Sequence, residues 1–140
     1  MLQIKTVEPG TFSILRKLML IPELQDFSLV GGTALSLLYG HRTSVDLDIF
    51  SMSKFDNKTI VKTLESRFGE SFIFEGKNEN FGIFCYIDGV KLDIVRFPHP
   101  MLRPLVTIDG IRMFSPEDII AMKVQSILKK KKKKVFWDIA

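Results

Sequence analysis

Apolar residues recur along this chain at two spacings, one helical and one alternating, and together they predict an α/β succession of elements. Phe12, Leu15, Leu18 and Met19 fall at helical spacing, so residues 11–20 read as a helix ending before Pro22. Residues 27–30 form a short apolar strand. Residues 32–39 read as a helix with Ala34, Leu35 and Leu38 on its buried side. Residues 45–50 form the next strand, in which Leu47 and Ile49 face the core while Asp46 and Asp48 face the other way. Residues 56–68 read as a helix through Ile60, Val61, Leu64 and Phe68.

The second half is rich in strands. Residues 71–75 form one strand. Residues 81–87 and 90–97 flank Asp88-Gly89, a hairpin signal, and Asp109-Gly110 joins residues 106–108 to 111–114 in the same way. Ser115-Pro116-Glu117-Asp118 then opens a helix, with Ser as N-cap, Pro at the first position and acids in the first turn. The helix is expected to run to about Leu128. No internal repeat or linker interrupts the chain, so residues 1–140 read as one domain, long enough for a real core.

Charge changes this picture in one place. The chain carries 20 basic and 16 acidic residues, yet six of the basic ones are the consecutive Lys129, Lys130, Lys131, Lys132, Lys133 and Lys134. Without that run the balance is 14 to 16, a net charge of −2. Attraction to phosphate or nucleic acid is therefore concentrated near the C-terminus. The run is either a solvated helix end or an RNA contact sensitive to salt. Cys85 is the only cysteine, which excludes a disulfide framework and a cysteine-rich zinc site and suits a reducing cytoplasm. No signal-peptide core or membrane-length apolar run is present, so no membrane partner is expected.

The candidate chemistry lies in three carboxylates and a glycine pair. Asp46 and Asp48, at i and i+2 in a strand, share a face. Asp93 interrupts the apolar run Leu92-Asp93-Ile94, where a buried carboxylate needs a partner. A hard cation such as Mg²⁺, or Mn²⁺, suits these oxygens, with phosphates completing its shell. Alone, Asp46-Leu47-Asp48 reads equally well as a solvent-facing edge strand; the neighbouring motifs tip the balance. Gly31-Gly32 ends an apolar strand and opens a helix, where backbone N–H groups can hold a phosphate, and the Thr33 hydroxyl sits at the same end. Taken alone, two glycines there only permit a tight turn. Arg42 and Ser44 stand just before the aspartates, as phosphate ligands or as surface polar residues. Lys123 borders the apolar helical face of Ile120, Val124 and Ile127, where it either snorkels or reaches a triphosphate. His41 and His99 show no ligand spacing.

The order Gly31-Gly32-Thr33-Ala34-Leu35, then Arg42 to Phe50 around Asp46-Leu47-Asp48, resembles the DNA-polymerase-β-like nucleotidyltransferases. It is more closely similar to the AbiEii toxin family, the toxin half of abortive-infection type IV toxin–antitoxin systems. The similarity continues through Asp93, Ser115 to Asp118, Lys123 and the lysine-rich end with Asp138. The resemblance implies a polymerase-β-like fold, a mixed β-sheet with packed helices. It implies Mg²⁺ on Asp46 and Asp48 with Asp93 as third carboxylate, and nucleotide phosphates on Gly31, Gly32 and Thr33. It also implies a C-terminal motif at Lys123 and Asp138, an RNA (tRNA) or protein acceptor, and a cognate antitoxin. Val135 stands where the family usually has an acid, and the family's chains continue beyond this point with more helices.

The expected reaction is metal-dependent transfer of a nucleotidyl group from an NTP to an acceptor hydroxyl. Two rivals remain: a small-molecule acceptor such as an aminoglycoside, and an inactive remnant that binds nucleotide, RNA or antitoxin without turnover.

Overall fold

Among the described residues seven strands form one mixed sheet, and its order places the two aspartate-bearing strands side by side in the interior. The computed structural model describes residues 2–40, 45–74, 82–97 and 100–139. The strands are β1 (Ser28–Val30), β2 (Leu47–Ser51), β3 (Phe72–Phe74), β4 (Gly82–Ile87), β5 (Val90–Arg96), β6 (Val106–Ile108) and β7 (Ile111–Met113). The helices are α1 (Pro9–Met19), α2 (Gly31–Tyr39), α3 (Asn57–Phe68) and α4 (Pro116–Ile139). Across the sheet the order is β3-β4-β5-β2-β1-β7-β6. The β2–β5 and β1–β7 pairs are parallel and the others antiparallel.

Both hairpins form where the Asp-Gly pairs foretell them. Asp88 and Gly89 have φ of 50° and 80°, and Asp109 and Gly110 have 52° and 80°. Positive φ at both central residues matches the right-handed twist of the flanking strands, which glycine and aspartate tolerate best.

Alternation divides the sheet into two faces. Leu47, Ile49, Leu92, Ile94, Ile83 and Cys85 are buried on one. α3 packs against β3 and β4, with its Ile60 and Leu64 buried. Asp48, Asp93 and Phe84 lie on the other face. Farther along that face Phe50, Phe97 and Phe114 make an aromatic cluster with ring centroids 5.7, 6.2 and 6.4 Å apart.

Two long-range devices brace the fold. The Arg112 guanidinium donates to the carbonyls of Phe27, Met19 and Leu24 at 3.1, 3.1 and 3.0 Å, tying β7 to the segment joining α1 to β1. At the start of α4 the Ser115 hydroxyl accepts from the Asp118 N–H at 3.1 Å. The Asp118 carboxylate in turn accepts from the N–H groups of Leu102 and Arg103 at 2.7 and 3.0 Å. Against burial, a bond donated by the Ser115 hydroxyl to that carboxylate at 2.7 Å, together with these two, holds its carboxyl below the ordinary aspartate range.

α4 departs from the sequence reading in its length. It runs through the lysines to Ile139 instead of ending near Leu128, because lysine is a good helix former and nothing there breaks the helix. Its apolar stripe of Ile120, Val124 and Ile127 is exposed, and the helix buries Ile119 instead. α4 packs against α2.

Candidate active site

The segment entering β2 is pinned before the strand begins. The Thr11 hydroxyl of α1 donates to the Val45 carbonyl at 3.0 Å, and the buried Thr33 hydroxyl of α2 donates to the carbonyl of Asp46. Thr33 therefore fixes the aspartate segment from the helix beside it. From there Asp48 enters β2 paired in register with Val30 on one side and Asp93 on the other. Directly paired residues project to the same side, with strands about 4.8 Å apart.

Two carboxylates this close repel, and both are partly withdrawn from water. Burial, followed by the charges of Asp93 and Asp46, pushes the Asp48 carboxyl up to about 6 from an ordinary 3.8, with Lys91 opposing. Asp93 is also raised, chiefly by burial, with Lys91 and a hydrogen bond to Asp48 opposing. Among the described residues, Asp93 Oδ1 is buried with no hydrogen-bond partner.

That orphaned oxygen beside a second, crowded carboxylate is what a hard divalent cation would satisfy. The donor set fits Mg²⁺ as a two-carboxylate platform. Asp46 is exposed one residue before β2 and contributes charge from the flank. Among the described residues no three acidic, histidine or cysteine side chains gather closely enough to hold a metal by themselves. The expected three-carboxylate cluster is thus a pair with a flanking third, and substrate oxygens would have to complete the shell.

On the β1 side of Asp48 the backbone takes over. Gly31 has φ of +76°, and a Cβ there would lie 2.6 Å from Asp48 Oδ2. Only glycine lets the start of α2 close on the carboxylate in this way. Among the described residues Val30 makes no side-chain cap on α2, and a glycine-opened helix N-terminus of this kind can hold an anion. A cavity of about 310 Å³ opens at this point, lined by Gly31, Gly32, Asp48 and Lys123 among others. Lys123 comes from α4 and faces the cavity along with Ile119 and Met122.

The structure therefore brings Gly31, Gly32, Asp48 and Lys123 to one cavity, and Asp93 to the far side of Asp48. Arg42 and Ser44 lie outside the described residues, as do the side chains of Lys129 to Lys134 and of Asp138. Sequence reasoning missed Phe84, which pairs directly with Asp93 across β4 and β5. The Asp88-Gly89 turn fixes that register and could have revealed it.

A cavity lined by a glycine-opened helix N-terminus, a strand carboxylate and a lysine, with a second carboxylate paired beside the first, marks the nucleotidyltransferase class of α/β fold. The family described as "Nucleotidyl transferase AbiEii toxin, Type IV TA system" matches residues 13–140. This chain belongs to that family. It is 31% identical over 129 residues to the uncharacterized protein aq_aa25 of Aquifex aeolicus (strain VF5), an alignment spanning 89% of this chain and 61% of the relative. The chain thus spans less than two thirds of that relative's length. Its fold is similar to the crystal structure of JHP933 from Helicobacter pylori, with a TM-score of 0.52 and 22% identity over 84% of this chain and 57% of that one. It is also similar to a candidate nucleotidyltransferase, TM1012, from Thermotoga maritima. There the TM-score is 0.59 with 16% identity, over 96% of each chain.

Proposed function

We propose that residues 1–140 form one catalytic domain that transfers a nucleotidyl group from an NTP to an acceptor hydroxyl. The observation that carries this reading is the Gly31–Asp48–Asp93 arrangement. An open helix N-terminus touches one carboxylate, and a second carboxylate with an orphaned oxygen stands beside it.

The NTP phosphates would rest against the N–H groups of Gly31 and Gly32, where the helix dipole favours anions. Lys123 would add a charge to the same cavity from α4. Asp48 and Asp93 would hold Mg²⁺, or Mn²⁺, with Asp46 nearby; the ion supplies charge neutralisation on the phosphates when bound. The acceptor oxygen bonds to the α-phosphorus and the bond from that phosphorus to the bridging oxygen breaks, so pyrophosphate leaves. The acceptor's proton passes to the Asp93 carboxylate. Arg42, Ser44 and Thr33 belong to the same proposed nucleotide site, Thr33 through its hold on the Asp46 carbonyl.

In the family's terms this activity would be the toxin of a type IV pair, with a cognate antitoxin as partner and the cytoplasm as its place of action. Among the described residues no helix is long and apolar enough to cross a membrane. The test is incubation of the chain with each α-³²P-labelled NTP, Mg²⁺ and total RNA, alongside Asp93→Asn. Labelled RNA from wild type, lost in a folded Asp93→Asn, is the expected result. Equal labelling by both proteins would overturn the role of Asp93. NTP binding with no label transferred to any acceptor would overturn the transferase reading.

A further inference from the structure

The row of paired side chains does not stop at Asp93. Across the sheet it runs Val30, Asp48, Asp93, Phe84. One step along, Lys91 pairs with Tyr86 and Tyr86 with Ile73. Directly paired residues and residues two apart in a strand share a face. Ile73, Phe84, Tyr86 and Lys91 therefore form one patch on the aspartate face, starting about 5 Å from Asp93. Phe84 is 39% exposed, Tyr86 45% and Ile73 56%. The opposite face of the same strands is closed by Ile83, Cys85 and Ile87, each no more than 2% exposed.

The nucleotide cavity lies on the β1 side of Asp48 and includes neither Asp93 nor the aromatic pair. In the proposed reaction the acceptor gives its proton to Asp93, so it approaches on the β5 side of Asp48. What it meets is two exposed aromatic rings and a lysine. Rings on an open sheet face with an adjacent cation are the equipment for stacking unpaired bases while neutralising their phosphates. A duplex offers its bases only at the edges and cannot use such rings. The Lys91 charge already acts on both Asp48 and Asp93, which places it at the junction of platform and site.

We infer that Phe84, Tyr86 and Lys91 form an acceptor platform that stacks the terminal bases of a single-stranded nucleic acid beside Asp93. This rests on the transferase reading for its purpose but not for its measurement. The test is fluorescence anisotropy of a fluorescein-labelled single-stranded oligoribonucleotide of mixed sequence, with its duplex as comparison. It is run at salt high enough to suppress the lysine run of α4. Wild type should prefer the single strand. Phe84→Ala/Tyr86→Ala should weaken that binding at least about tenfold, while Phe84→Tyr and Tyr86→Phe keep it. Circular dichroism should show every variant folded, and labelled-NTP binding should be unchanged in all. Equal binding of strand and duplex, wild-type affinity in the folded double-alanine variant, or no binding by wild type would each overturn the platform. Loss of strand binding in the double variant of a protein that transfers no label to any acceptor would sink the transferase reading and leave the platform standing.

Discussion

Replacing Asp48 with asparagine should make the metal-free protein more stable. Without a cation, the Asp48 carboxylate is held against Asp93 and partly out of water, and its carboxyl is pushed from 3.8 up to about 6. Each tenfold change in proton affinity is about 1.4 kcal/mol, so keeping Asp48 charged in the fold costs up to about 3 kcal/mol. With partial solvent access to the half-buried group the cost lies at about 1.5–3 kcal/mol. Asparagine is nearly the same size, carries no charge, and its amide N–H can donate to Asp93. For a chain of this length about 3 °C accompanies each kcal/mol, so Asp48→Asn should unfold about 4–9 °C higher at pH 7.5 in EDTA.

The pH dependence follows from proton counting. Between 3.8 and about 6 the folded protein holds a proton on Asp48 that the unfolded chain has released, so wild-type stability falls as pH rises through that window. The gap between variant and wild type should be small near pH 4 and full above about 6. Circular-dichroism melts from pH 4.5 to 8 measure it. Added Mg²⁺ should then raise the wild-type midpoint and leave the variant unmoved, reversing the order at saturation. An Asp48→Asn protein that melts at or below wild type at pH 7.5, or a gap independent of pH, would refute the account of a repelling carboxylate pair.

Three further outcomes test other parts of the structure. Gly31→Ala should lower stability by about 1–3 kcal/mol in urea unfolding and abolish labelled-NTP binding, because it strains a φ of +76° and drives a methyl into Asp48. Wild-type NTP affinity in that variant would show that Gly31 does not need to touch Asp48. Arg112→Ala should cost about 2–4 kcal/mol by leaving three carbonyls without their donor, with the NTP Kd unchanged; a shift in Kd without destabilisation would contradict its bracing role. Changing four of Lys129 to Lys134 to glutamine should weaken RNA binding and flatten its salt dependence with little change in Tm, and an unaltered salt slope would make the run a passive helix end.

Much of this protein was decided within short stretches of chain. The Asp-Gly hairpins, the Ser115 cap and the strand carrying Leu47 and Ile49 each follow from residues a few positions apart, since turn dihedrals, capping bonds and side-chain alternation are local. The glycine pair, the alternating aspartates and the family they indicate were legible for the same reason. Other features needed the fold. Asp48 and Asp93 are 45 positions apart in sequence, and only a parallel β2–β5 pairing makes them neighbours whose charges repel, with Asp93 Oδ1 buried and without a partner among the described residues. Thr33 looked like a phosphate ligand, but the packing of α2 aims its hydroxyl at the Asp46 carbonyl. On α4 the packing buries Ile119 and leaves Ile120 and Val124 exposed, a choice that the apolar spacing alone does not make. The exposure of Phe84 and Tyr86 beside Asp93 appears in no local pattern. A strand's period says which residues share a face, but whether that face is covered depends on where the helices land.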